Sequence, residues 1–188
     1  NTIWLPPIKG AITDTQFKML CGVAIHEAAH VVFDSVDRVH KPFIAAYPSK
    51  PDLAARAMNV VLDVQDETRI ESFLPGAKDI LSTHTASTMQ RIVKGDEFRD
   101  HPDRALCIGV AAILLNRGKS VRFSKYLKTC DDYQWMVEAA SIVKRAKCRA
   151  LTPYRKKVHK FKRFRREIIV LWNAAADLLS LFDRAGIT

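Results

Sequence analysis

The chain has 188 residues, 48% of them apolar, which excludes a disordered chain and is long enough for one domain to bury a core without staples. Only 7 glycines and 8 prolines occur, which argues for helices over a many-turned β-sandwich. The net charge of +10 is carried by one segment: Lys144 to Arg166 holds twelve of the 30 Lys and Arg and no acid, and the rest is close to neutral.

Residues 1–12 read as an extended lead-in with Pro6 and Pro7. They lack the basic and then apolar regions of a signal peptide. The first residue is Asn, which reads as a fragment or processed piece of something longer. Thr13 then signals a helix start, with Gln16 three residues on as in a capping box. A helix over about 14–36 follows, with Phe17, Leu20, Cys21, Ala24, Ala28, Val31 and Val32 at helical spacing. Lys41-Pro42 and Tyr47-Pro48-Ser49-Lys50-Pro51 predict a loop. A second helix is expected from Asp52 to about Phe73, stopped by Leu74-Pro75-Gly76. A third covers roughly 77–94. His101-Pro102 breaks the chain, and 103–116 is an apolar helix ended by Asn116-Arg117-Gly118. Two more helices are expected over 131–150 and 153–184. There is no convincing strand, repeat or low-complexity tract, so the fold reads as all-α.

The four cysteines, Cys21, Cys107, Cys130 and Cys148, form no C-x-x-C pair. They fit reduced, buried thiols of a cytoplasmic protein rather than a disulfide framework or a zinc ribbon. No apolar run approaches the roughly 18 residues that span a bilayer.

Within the first helix, Ile25-His26-Glu27-Ala28-Ala29-His30 contains H-E-x-x-H. Residues i and i+4 share one helix face, so His26 and His30 can offer two imidazoles to one side of a Zn²⁺ ion. Glu27, beside the first histidine, is placed to take a proton from an attacking water and pass it to the leaving group. A third protein ligand is needed, and the second helix supplies acids in "LDVQDETRIE". Asp63, Asp66 and Glu67 share a face opposite Met58, Val61 and Gln65. An acidic trio of this kind more often marks a solvated face, but here it follows an H-E-x-x-H helix. The motif predicts a zincin-type helical metallopeptidase core with at most a small sheet.

"GVAIHEAAHVVF" followed by "NVVLDVQDETRIESFLPGAKDIL" resembles the metallopeptidase-like region of cobaltochelatase T-subunit-type and phage proteins that carry a von Willebrand A domain. The resemblance spans residues 15–81. Arg69-Ile70-Glu71 and Pro75-Gly76 match that pattern. Asp66-Glu67 stands where the family has Glu-Asp, and Asp63 stands at its Asn. Position favours Asp66 as third ligand. Side-chain length and the following Glu71 favour Glu67, with Asp63 and Glu71 as outer groups on the ligands. The resemblance implies zinc-dependent peptide hydrolysis within a larger assembly, beside an AAA+ ATPase or a von Willebrand A partner.

The basic segment interleaves Lys and Arg with Tyr154, Phe161 and Phe164. Arg155, Lys156, Lys157, Lys160, Lys162, Arg163, Arg165 and Arg166 are candidates for binding nucleic acid or an acidic partner. This organisation predicts a helical domain over 1–130 and a helical C-terminal extension over 131–188. A second functional reading is a non-catalytic phage or mobile-element protein that binds nucleic acid or a partner through the basic arm, with a structural metal or none. His84 is a further candidate for an oxyanion-stabilising role.

Overall fold

The computed structural model describes residues 10–155 and 160–188, with the side chains of 148–164 excepted. Helix α1 (Asp14–Phe33) begins as its sequence signals. Thr13 Oγ1 accepts the Gln16 N–H at 3.2 Å, and Gln16 Oε1 accepts the Thr13 N–H at 2.9 Å. This reciprocal box satisfies two backbone donors that a helix start would otherwise orphan. The helix stops three residues before its expected end, because Asp34 turns left-handed with φ 52°.

A single π-helical turn, Val36–His40, then runs into α2 (Lys41–Ala45) where a loop was expected. Pro42 lies in the first turn of α2. Next come α3 (Pro51–Phe73), α4 (Ala77–Gly95) and α5 (Arg104–Arg117), close to expectation. The short α6 (Val121–Leu127) was not foreseen; Ser120 Oγ caps it by accepting the Phe123 N–H at 3.2 Å. Helix α7 (Tyr133–Arg155) continues through Pro153, past the expected break, and α8 (Lys160–Arg184) follows. The described residues contain no strand, and the fold is all-α. No single helix among them is long and apolar enough to cross a membrane.

Helix α3 is the axis of the molecule. It packs against α1, α2, α5, α7 and α8. A helix enclosed on that many sides must bury more than one face. Accordingly Leu53, Met58, Val60, Val61, Leu62 and Val64 are all buried, and so are Gln65, Asp66 and Glu67. Asp66 and Glu67 thus lie in the interior, and only Asp63 of the acidic trio is partly exposed. The main core is continuous from Val39 to Ile187 and includes Met58, Ile108, Met136, Leu178 and Phe182. Helices α7 and α8 thus share one core with the residues before 131. Gly109 permits the close approach of α5 to α3: a Cβ there would lie 2.6 Å from Val60 Cγ2.

Helix α1 lies outside that core. A smaller cluster of Ala29, Ile70, Ala77 and Leu81, flanked by Ile25 and Phe33, holds it on α3 and α4. Its orientation turns His26 and His30 toward α3 and leaves Phe17 (57%), Val31 (47%) and Val32 (64%) exposed.

Candidate metal centre

The i, i+4 spacing on α1 stacks the two imidazoles. Their ring centroids are 4.9 Å apart and their planes are nearly perpendicular at 86°. Both rings point across to the middle of α3, where Asp63, Asp66 and Glu67 occupy one turn. His26 Nδ1 lies 2.7 Å from Glu67 Oε1. A carboxylate only accepts, so Nδ1 donates and Nε2 is the nitrogen on the Asp63 side. His30 Nδ1 lies 3.1 Å from Asp66 Oδ2. Asp63 approaches the opposite edge of both rings, with Oδ1 3.1 Å from His30 Nε2 and 3.7 Å from His26 Nε2.

These distances fit a metal ion. Bonds of about 2.0–2.1 Å in tetrahedral geometry set ligand atoms about 3.3 Å apart, and the two Asp63 separations bracket that value. One ligand atom from each of His26, His30 and Asp63 lies within 4.8 Å of the others. The donor set of two imidazoles and a carboxylate suits a first-row divalent ion.

Asp63, expected as an outer group, is the acid that groups with His26 and His30 in a cluster that could hold a metal ion. Asp66 and Glu67, the expected third-ligand candidates, lie on the Nδ1 atoms behind the rings. The crossing of α1 over α3 causes this: the acid at the exposed edge meets Nε2, and the two deeper acids meet Nδ1. Asp63 is 21% exposed, whereas Asp66 and Glu67 are 1% and 3%.

Two buried carboxylates need cations, and each has an arginine. Arg117, at the end of α5, puts Nη2 2.5 Å from Glu67 Oε1, and the same nitrogen donates to the Asp63 carbonyl at 3.4 Å. Arg69 lies 3.7 Å from Asp66 Oδ1 and 3.3 Å from Glu167 Oε1, with its guanidinium 3.9 Å from the Phe33 ring centroid. Glu167, itself buried, also accepts from Gln65 Nε2 at 3.2 Å. Sequence reasoning missed Arg117 and Glu167; Arg117 had been read only as part of a helix stop. The one available signal was chemical: buried acids call for distant cations.

Burial alone would lower the His30 pKa, but hydrogen bonds and charge from Asp63 and Asp66 outweigh it and hold it up at about 10. In the metal-free protein His30 is therefore a cation clasped between two carboxylates.

Glu27 is exposed and makes no hydrogen bond or ion pair among the described residues. Glu71 lies away from the trio, lining a cavity of about 110 Å³ with Lys78, Arg117 and Lys147. His84 packs on Gly22, one turn before His26. Burial pushes its pKa down, while the Glu67 carboxylate pulls the other way. Its Nδ1 is enclosed without a partner. Of the basic candidates, Arg165 and Arg166 are exposed. Lys156 and Lys157 lie outside the described residues, as do the side chains of Arg155, Lys160, Lys162 and Arg163.

Fold and site together define an all-α protein with a two-histidine, one-aspartate cluster able to hold a metal ion. No protein-family model, curated protein or solved structure matches the chain.

Proposed function

We propose that the chain is a zinc-dependent hydrolase of the metallopeptidase-like kind, working within a larger assembly. The observation that carries this reading is the Asp63 carboxylate, 3.1 and 3.7 Å from the two Nε2 atoms, while each Nδ1 is backed by a buried acid. His26, His30 and Asp63 would hold the ion. Glu67 and Asp66 orient the rings and raise their basicity. Zinc, when bound, supplies Lewis acidity that brings the pKa of water to about 7 and polarises a carbonyl. Glu27, without a partner among the described residues and adjacent to His26, accepts the proton and returns it to the leaving amine. The exposed Phe17, Val31 and Val32 support docking into an assembly. The resemblance adds an AAA+ ATPase or a von Willebrand A protein as the class of partner.

Elemental analysis of freshly purified protein, paired with a peptide-cleavage assay of Glu27→Gln, tests this. Stoichiometric zinc retained by an inactive variant is expected, with activity falling at least about 100-fold. The second reading, a nucleic-acid or partner-binding protein with a structural metal or none, draws on the basic segment and the exposure of Arg165 and Arg166. Protein purified without zinc that binds DNA or RNA in a salt-sensitive way would replace the enzyme with that reading.

A further inference from the structure

A second site lies on the other side of Arg117. Between α4 and the loop from α5 to α6 there is a groove of about 500 Å³. That size is in the range of small-molecule sites. Its floor is apolar, formed by Ala86, Met89, Val93 and Phe123. Its rim holds Arg117, Lys119 and Arg122, and no Asp or Glu lines it. The charge balance is specific. Glu67 neutralises Arg117. Lys119 and Arg122 have no carboxylate partner among the described residues. Two positive charges without a carboxylate partner among the described residues therefore line a groove with an apolar floor. Arg117 Nε is buried without an acceptor. Ser120 Oγ accepts the Phe123 N–H and keeps its own proton to donate.

We propose that this groove binds a phosphate monoester with an apolar body, the class to which mononucleotides belong. A phosphomonoester carries about −1.5 to −2 at neutral pH, which matches the two unpaired cations, whereas a carboxylate carries one charge. Arginine and hydroxyl donors suit its oxygens. The apolar part lies over Met89 and Val93. The phosphate comes from a free nucleotide or from the 5′ end of a nucleic-acid strand. None of His26, His30 and Asp63 lines the groove, so the proposal does not require a bound metal.

Calorimetric titration of the full chain with AMP tests it, both as purified and after chelator treatment. Binding that weakens with added salt and is unaffected by chelation is expected. Lys119→Ala/Arg122→Ala should weaken AMP at least tenfold; both side chains are exposed, and unchanged thermal unfolding checks the fold. Adenosine, and an acetylated dipeptide with a free carboxylate, should each bind at least tenfold more weakly than AMP. A 5′-phosphorylated dT oligonucleotide that displaces AMP, where the unphosphorylated strand does not, makes a strand end the source. Failure of both to displace AMP makes it a free nucleotide. Absence of AMP binding, full binding by the double variant, or adenosine binding as tightly as AMP overturns the proposal.

Discussion

His30 has a carboxylate against each ring nitrogen, and this has a thermodynamic consequence. Its folded pKa of about 10 lies above the usual 6.5. A folded-state pKa raised in this way stabilises fully below the unfolded value and is lost as pH rises through the folded one. Chelator-treated protein should therefore lose stability between about pH 6.5 and 10. Thermal melts across that window check this against His30→Gln, whose melting temperature should fall less. A second residue-scale prediction separates ligand from outer acid. Asp66→Asn and Glu67→Gln should each weaken zinc about 10–100-fold, as outer carboxylates do. Asp63→Asn should weaken it further, because it removes a direct bond. Competition with a chromophoric chelator measures all three. The opposite ranking would restore Asp66 or Glu67 as the third ligand.

At the scale of elements, the site depends on how closely α1 approaches its neighbours. Gly22 faces α4, where a Cβ would lie 2.6 Å from His84 Cβ. The obstructing atom is at the root of a side chain and cannot swing aside, so one helix has to move. Gly22→Ala should destabilise the protein by about 1–3 kcal/mol, as overpacking does. It should also weaken zinc, since shifting α1 moves both imidazoles against Asp63. Urea unfolding and metal titration check the two effects. An alanine accepted with no change in either would mean that α1 and α4 are not in contact here.

For the whole molecule, the continuous core decides which pieces can fold. Met136, Ala139, Leu178 and Phe182 are enclosed together with Met58 and Ile108 from α3 and α5. Ending the chain at residue 130 would uncover that face of α3 and α5. Residues 1–130 alone are expected to aggregate or to unfold without a cooperative transition, seen by circular dichroism on heating. A well-folded, zinc-binding product would mean that α7 and α8 are accessory. At this scale too, the buried Glu167 of α8 reaches the Arg69 that faces Asp66. The C-terminal helix therefore touches the surroundings of the candidate metal centre as well as the core.

Local signals carried most of the helix boundaries. The Thr13–Gln16 box and the Leu74-Pro75-Gly76 stop act through backbone groups a few residues away, so they are legible without tertiary context. The pairing of His26 with His30 is equally local, because helical geometry alone sets residues four apart on one face. Three features were beyond this reach. Seven residues, Val121–Leu127, are too few to display a helical period. Pro153 lies inside a helix that runs on to Arg155. Asp63, Asp66 and Glu67 were legible as a group but not in their order. Composition and spacing thus determined an all-α chain with a histidine pair and acids to face it. Only the crossing of α1 over α3 decided which acid meets Nε2 and which acids stand behind. The packing of α5 on α3 brought Arg117 to Glu67. The reason is physical: helix-forming signals act over one or two turns, whereas ligand order depends on the relative placement of two packed helices.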